Sequence, residues 1–158
     1  MIEAPFKLHR GQVRAEWTDE NRHMNLAYYL VMFDAASDAV FEVLRIGQAY
    51  RRAVGKTCFA AETHLVYEQE MNAGDWAEIA TTVVDVDEKR LHLAHEMYKE
   101  GRTGRVCLQE IMFLNVDLAT RRAAVWGDEA MEWLTAVRDA HARVEKPAKI
   151  GRSIRIQK

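Results

Sequence analysis

The residues best suited to chemistry are concentrated in one stretch, EWTDENRHMNLAYYL, residues 16–30. It places Asp19, His23 and Asn25 directly before a long helical pattern. The first N–H groups of a helix have no intrahelical partner and carry partial positive charge, so they can polarise a carbonyl and hold a developing oxyanion. A carboxylate nearby can attack that carbonyl or deprotonate a water that does. The set therefore suits acyl transfer without a metal or cofactor.

A purely structural interpretation of the same residues is open. Asp19 could be an N-cap or the first residue of an Asx turn, and His23 could be an ordinary turn residue. However, Asn21 and Asn25 lie closer to the helix and could cap it without Asp19. The chain has no CxxC spacing and no serine nucleophile elbow that would offer competing chemistry.

Composition limits the classes of protein to which the chain can belong. The 158 residues, 49% of them hydrophobic, are expected to form one domain with its own core. The 22 basic and 24 acidic residues almost balance, which argues against nucleic acid as a partner. No apolar run has the length of a signal peptide or a membrane span, so no membrane partner is predicted and the expected location is the cytoplasm.

Hydrophobic periodicity predicts the elements that must position the stretch. Val13, Ala15 and Trp17 alternate with polar residues, which predicts a strand over residues 6–18. From Asn25 the spacing changes to three and four residues and predicts a long amphipathic helix. This helix is expected to end near Gly47 and to be followed by a short helical turn.

The remaining chain reads as four strands and a helix. The strands are predicted at residues 56–71, 76–88, 90–100 and 105–118, and the helix at 127–145. One long helix with a broad apolar face needs a large flat partner. The sequence therefore predicts an α+β fold: a five-stranded, largely antiparallel sheet wrapped around one long helix, plus a C-terminal helix. Residues 1–145 would form the single domain, and residues 146–158 a basic tail that is expected to be solvated, or else to lie near substrate phosphates.

Two further groups of titratable residues stand on predicted strands. Glu62 and His64 share one side of a strand, either as a solvated face or with Glu62 reaching the helix mouth of this or a partner subunit. Glu110 alternates with apolar residues, so its carboxyl should be paired, with either His92 or His95. A structural ion pair is favoured there over a catalytic role.

The stretch TDENRHMNLAYYL resembles the hot-dog-fold acyl-CoA thioesterases of the 4-hydroxybenzoyl-CoA thioesterase type. Their signature has an Asp, three residues, a segment like HVNN, and a Tyr six positions after the His. Asp19, His23, Asn25 and Tyr29 stand in register with it. The segments AETHLVYEQEMNAGDWAEIATTVVDVDEKRLHLAHEMY and LQEIMFLNVDLATRRA resemble the later strands, so the match covers about residues 8–125.

Finer details resemble the betainyl-CoA thioesterases of carnitine breakdown. HMNLAYYL and DEKRLHLAHEMY carry this likeness. The sequence departs from the family at Arg22, where a glycine is common. Because glycine permits unusual backbone angles or close approach, Arg22 could alter the site entrance or contact an anionic part of the substrate.

The resemblance implies a catalytic residue, a substrate and an assembly. Asp19 would be the catalytic carboxylate, with His23 and Asn25 positioning the loop, substrate or water. Backbone N–H groups near Asn25 and Leu26 would bind the thioester oxygen. The substrate would be a small acyl-CoA, with betainyl-CoA favoured, and no cofactor would be needed. The protein would be a homodimer or homotetramer with its active sites at the dimer interface. Substrate contacts would come from Trp17, Arg22, Leu26, Tyr29 and Glu62, the aromatics surrounding the trimethylammonium if the acyl group is betaine.

Two other functions share this fold. Hot-dog enoyl-CoA hydratases typically have four residues between Asp and His and a nearby Asn-Pro. This chain has three residues between Asp19 and His23 and no proline there, which disfavours hydration. A non-catalytic acyl-CoA-binding domain would keep the fold without needing Asp19.

Overall fold

The predicted long helix is α1, Leu26–Val43. In the computed structural model, which describes residues 1–156, its buried side chains recur at helical spacing: Tyr29, Met32, Phe33, Ala36, Ser37 and Val40. The helix ends before Arg45, whose left-handed backbone (φ 61°) turns the chain away from the axis. A short helix, α2 (Gln48–Val54), follows Gly47, so the break expected near this glycine is confirmed.

The sheet that wraps α1 is antiparallel at every strand pair. Its strands are β1 (Phe6–Gln12), β2 (Lys56–Tyr67), β3 (Trp76–Val86), β4 (Arg90–Lys99), β5 (Arg105–Asp117) and the two-residue β6 (Arg122–Ala123). They lie in the order β1-β3-β4-β5-β2, with β6 beside β5. A C-terminal helix, α3 (Asp128–His141), completes the fold. The predicted α+β hot-dog architecture is confirmed, and only the short β6 was missed.

The first strand is shorter than its alternation predicts. β1 ends at Gln12, and Ala15–Trp17 form a 3-10 turn instead of a continued strand. Val13 still hydrogen-bonds across to the β2–β3 connection: its N–H donates to the carbonyl of Asp75 at 2.9 Å, and it accepts from Gly74 at 2.8 Å. The chain then leaves the sheet, because it must reach the start of α1. The strand prediction over residues 13–18 is therefore wrong.

A fully buried histidine joins α1 to the inner face of the sheet, which is the face turned towards α1. Nε2 of His95 lies 3.0 Å from Ser37 Oγ, and Nδ1 of His95 lies 2.7 Å from Thr81 Oγ1. Ser37 donates its only hydroxyl hydrogen to the Phe33 carbonyl at 3.0 Å, so it can only accept from His95. Nε2 therefore carries the proton and Nδ1 accepts from Thr81. Burial lowers the pKa of His95 to about 3, so the ring is neutral at physiological pH.

Helix α3 packs against β3. Leu134 and Val137 are buried in the core shared with α1 and the sheet. His141 accepts from the backbone N–H of Val83 at 3.0 Å, where β3 bulges, and its other ring nitrogen lies 2.9 Å from the carbonyl of Glu3. The predicted C-terminal helix is confirmed, and Leu134, Val137 and His141 form its buried side.

The segment after α3 is docked on the domain. Pro147 is buried, and Arg105 donates to the carbonyl of Ala148 at 3.1 Å. Lys149 pairs with Glu68, and the N–H of Gly151 donates to Glu110 Oε2 at 2.7 Å. The expectation of a solvated tail is therefore wrong as far as Gly151, because its backbone and its lysine satisfy polar groups on the sheet. The end of the predicted tail, residues 157–158, lies outside the described residues.

Candidate active site

The loop that carries Asp19 is closed by its own backbone. Thr18 and Met24 form an antiparallel bridge. Within it, the N–H of Asp19 donates to the carbonyl of His23 at 3.1 Å, and the N–H of Arg22 donates to the carbonyl of Asp19 at 2.9 Å. Arg22 adopts a left-handed backbone, φ 63°. This is the conformation that glycine adopts without strain, which explains physically why a glycine suits this position.

Asp19 stands exposed at the tip of this loop. Its Oδ1 accepts from the N–H of Asn21 at 2.8 Å, which is the Asx turn considered from the sequence. Oδ2 has no partner within residues 1–156. The turn therefore fixes the direction of the carboxylate while leaving one oxygen available to a substrate or a water.

The N-terminus of α1 has one backbone donor to spare. Asn25 is the N-cap, and its side chain accepts from the N–H of Ala27 at 3.1 Å, so the expected cap is confirmed. The N–H of Tyr28 donates to the carbonyl of Asn25 at 3.0 Å. The N–H of Asn25 donates to the carbonyl of Trp17 at 2.9 Å and is therefore occupied. In the part of the chain that the structure describes, Leu26 is left with an N–H that has no acceptor.

The loop is fastened to the connection between β2 and β3. His23 bridges Asn72, and the N–H of Met24 donates to the carbonyl of the fully buried Met71 at 2.7 Å. The side chain of His23 is exposed and lines the pocket beside the helix mouth. These bonds hold the Asp19 loop and the start of α1 in one arrangement.

The pocket at the helix mouth combines the start of α1 with the end of β2. Its lining residues are His23, Met24, Leu26, Tyr29, Tyr67, Glu68, Gln69 and Glu70. Tyr67 donates its hydroxyl to the Leu26 carbonyl at 3.2 Å. The rings of Tyr29 and Tyr67 meet edge to face at 5.2 Å. Burial raises the pKa of Tyr29 to about 12, so its phenol stays neutral.

The other predicted substrate contacts are distributed over different surfaces. Trp17 stacks on Tyr28 at 5.3 Å beside the loop and does not line the pocket. Arg22 is exposed. Glu62 lies on the outer face of the sheet, opposite α1, in a separate pocket with His64. Within one chain the structure thus brings His23, Leu26 and Tyr29 together in this pocket, whose lining includes neither Asp19 nor Glu62.

Glu110 lies in that outer-face pocket, not at the helix mouth. His92 is its partner, with 2.8 Å between His92 Nε2 and Glu110 Oε1, while His95 points to the inner face. The predicted pairing of Glu110 with one of these two histidines is thus confirmed for His92. No group of His, Cys, Asp or Glu side chains within residues 1–156 is arranged to hold a metal ion.

Sequence reasoning missed Tyr67 and Glu70 as pocket residues. Tyr67 is the last residue of β2, and Glu70 lies just beyond it. Both line the pocket together with Leu26, although they are more than 40 positions away from it in the sequence. The alternation along β2 identifies Tyr67 only as a residue of one sheet face. Its proximity to Leu26 depends on how the sheet curls around α1, which local periodicity does not report.

Residues 13–134 match the model of the thioesterase-like superfamily. The chain belongs to this superfamily. It is 34% identical over 142 residues to the betainyl-CoA thioesterase of Pseudomonas aeruginosa, covering 90% of this chain and 89% of that protein. It is also 29% identical over 150 residues to an L-carnitine dehydrogenase/betainyl-CoA thioesterase of Rhizobium sp. That match covers 95% of this chain but only 30% of the relative.

The fold of this superfamily member also matches solved structures. A hypothetical protein from Staphylococcus aureus, solved in complex with CoA, superposes with a TM-score of 0.87 at 24% identity, covering 98% of each chain. At this identity the likeness shows the hot-dog fold alone. Within residues 1–156 no helix is both long and apolar enough to cross a membrane.

Proposed function

We propose that this protein hydrolyses a small acyl-CoA thioester to the free acid and CoA, with betainyl-CoA as its substrate. The observation that carries the proposal is a directed, exposed carboxylate at the tip of a closed loop and, at the end of the same loop, a helix N–H that has no acceptor within residues 1–156. Asp19 and Leu26 are seven residues apart, and the loop between them is closed by backbone bonds. The betainyl-CoA thioesterase similar over 90% of the chain supports both the reaction and the acyl group.

The chemistry follows from these two groups. The thioester carbonyl oxygen would accept from the Leu26 N–H, which lies at the positive end of α1 and stabilises the oxyanion of the tetrahedral intermediate. Asp19 serves either as the base that removes a proton from the attacking water or as the nucleophile that forms an anhydride. In both routes the carbon–sulfur bond breaks and CoA leaves as a thiolate.

The decisive experiment measures CoA release from a panel of acyl-CoAs by thiol titration. Asp19→Asn removes the charge at nearly constant size and should lower kcat by about 10²-fold or more. Glu20→Gln is the matched control, since Glu20 is an exposed acid adjacent to Asp19. A folded Asp19→Asn protein with undiminished turnover would remove Asp19 from the mechanism. Failure of the wild type to cleave any thioester would favour an acyl-CoA-binding domain.

Isotope labelling distinguishes the general-base role of Asp19 from the nucleophilic role. A single turnover in H₂¹⁸O places the label in the product acid when Asp19 acts as a base. When Asp19 is the nucleophile and water attacks its own carboxyl carbon, the label enters the Asp19 side chain. Mass spectrometry of the peptide that contains residue 19 distinguishes the two routes.

We further propose a cytoplasmic homodimer joined along β2. This strand is an edge of the sheet, so one row of its backbone groups is unpaired within the chain. Leu26 and Val31, which are 65% and 51% exposed, add apolar surface on α1, and Phe59 adds more on β2. A second copy would cover these residues and the open side of the pocket. Light scattering tests the mass, with Val31→Glu expected to give a monomer, and a tetramer remaining the other assembly of interest.

A further inference from the structure

A betainyl group carries its positive charge close to the reacting carbon. In this acyl group a single methylene separates the carbonyl carbon from the trimethylammonium nitrogen. When the carbonyl oxygen accepts from the Leu26 N–H, the cation must therefore lie within a few ångströms of the helix mouth. Any side chain that recognises it has to line the pocket there.

Three other aromatic side chains, the predicted contact Trp17 among them, already contact other groups. Arg10 lies over the Trp76 ring at 4.1 Å, and Arg14 lies over Trp17 at 5.1 Å. Phe33 is fully buried in the core. None of these three rings lines the pocket at the helix mouth.

Tyr67 has the position that those rings lack. It is 47% exposed, and its hydroxyl is fixed on the Leu26 carbonyl at 3.2 Å. Tyr29 contacts the Tyr67 ring edge to face, which holds the ring's orientation. None of the cations located in residues 1–156 lies over the Tyr67 ring.

The two carboxylates of the pocket differ in how far their charge is neutralised. Glu68 is bound by Arg105 at 2.9 Å and also by Lys149. Within residues 1–156 the sole cationic partner of Glu70 is Arg102, at 4.0 Å, and the Glu70 side chain is 52% exposed. Glu70 therefore retains a negative charge that acts on the space beside Tyr67.

We propose that Tyr67 and Glu70 select acyl groups that carry a quaternary ammonium, an inference that rests on the proposed thioesterase function and adds specificity residues to it. The Tyr67 ring supplies a cation–π surface, and Glu70 supplies a negative field without a hydrogen bond, which a trimethylammonium cannot donate. Cation–π recognition of this kind corresponds to about 2- to 30-fold in kcat/KM.

The test compares two thioesters of the same shape. In 3,3-dimethylbutanoyl-CoA a neutral carbon replaces the quaternary nitrogen of betainyl-CoA. The inductive effect of the ammonium on the carbonyl is common to all variants, so a change in the ratio of the two kcat/KM values between variant and wild type reports recognition of the charge. Tyr67→Leu should lower the wild-type ratio by about 2- to 30-fold, and Tyr67→Phe, which keeps the ring face, should preserve it. Glu70→Gln should lower the ratio by a smaller factor that shrinks as salt is added. Trp76→Leu, an aromatic variant on another surface, is the matched control with an unchanged ratio.

Three results would overturn the inference and are distinguishable. Equal wild-type kcat/KM for the two thioesters overturns the inference while the hydrolase function stands. A wild-type preference that survives both Tyr67→Leu and Glu70→Gln assigns the cation to other residues. Lack of hydrolysis of any CoA thioester overturns the proposed function together with the inference. If circular dichroism shows Tyr67→Leu to be unfolded, the ratio in Glu70→Gln, with its salt dependence, decides.

Discussion

Acid should weaken this fold through His95, the histidine that joins α1 to the sheet. In the folded protein its pKa is lowered to about 3 by burial, from an ordinary value of 6.5. Below about pH 6.5 the unfolded chain takes up a proton at His95 that the folded chain does not. Stability contributed by the neutral ring is therefore complete above pH 6.5 and is lost as pH falls towards 3.

The size of the effect follows from these two values. Each pH unit below 6.5 lowers the free energy of unfolding by about 1.4 kcal/mol through His95. At about pH 5, roughly 1.5 units below 6.5, the loss relative to pH 8 is therefore about 2 kcal/mol. His95→Gln removes the titrating group and retains a neutral polar side chain. It should cost about 1–3 kcal/mol at pH 8, because a hydrogen bond to Ser37 or Thr81 is lost, and about 2 kcal/mol less than that at pH 5. The additional loss of about 2 kcal/mol between pH 8 and pH 5 should disappear.

The assay is urea unfolding followed by circular dichroism at about pH 8, 6.5 and 5. Ile79→Val is the control, because it removes one methylene from a fully buried core position without changing a titratable group. It should lower stability by about 1 kcal/mol at every pH and keep the wild-type slope. If His95→Gln shows the same pH slope as the wild type, the neutral buried histidine is not the source of acid sensitivity and the reasoning is refuted.

Three further predictions concern the loop, the cap and the tail. Arg22→Gly should raise Tm by about 2–4 °C, as expected for about 1 kcal/mol, because glycine adopts φ 63° without strain. Asn25→Ala should lower the free energy of unfolding by about 1 kcal/mol through loss of the cap on Ala27, measured by urea denaturation. Glu68→Gln removes a carboxylate whose pKa Arg105 and Lys149 lower to about 2, so trypsin should cleave the chain after residue 149 faster at neutral pH.

Each of these has its own control and its contrary result. Arg22→Ala deletes the same side chain but keeps the strained backbone, so an equal rise in Tm for both variants would exclude strain as the cause. Asn25→Asp keeps an acceptor for the cap and should retain stability; a loss equal to that of Asn25→Ala would contradict the capping account. The Glu68 effect should vanish as pH falls from 4.5 towards 2, because the wild-type carboxyl then also becomes neutral. Since trypsin is inactive there, exposure of the tail at low pH is followed by hydrogen exchange.

Local chemistry was sufficient to predict the elements and part of the site. The change in period at Asn25 predicts the start of α1 within one residue, because side-chain burial repeats with the geometry of each element. The cap at Asn25 and the Asx turn at Asp19 are likewise short-range, each satisfied by an N–H two residues away. The strand prediction over residues 13–18 failed because the chain leaves the sheet after Val13 and forms a 3-10 turn on its way to α1.

Long-range geometry decided what the sequence could not. The alternation along β5 leaves the partner of Glu110 open, and only strand register puts His92 beside it and sends His95 to the other face. The tail's composition predicts a solvated segment, yet Lys149 forms an ion pair with Glu68, which lies 81 positions earlier in the sequence.

The sequence by itself determined the hot-dog elements, the superfamily, and the Asx turn and helix cap of the loop before α1. Tertiary structure decided which helix donor has no acceptor within residues 1–156: the N–H of Asn25 donates to the carbonyl of Trp17, whereas that of Leu26 has no such partner there. It also decided that an aromatic ring of β2 lines the pocket at the helix mouth, since the curl of the sheet brings Tyr67 onto the first residue of α1. The physical reason is the same in both cases: periodicity records which face of an element is buried, whereas the pairing of donors, rings and charges depends on atoms that only folding brings together.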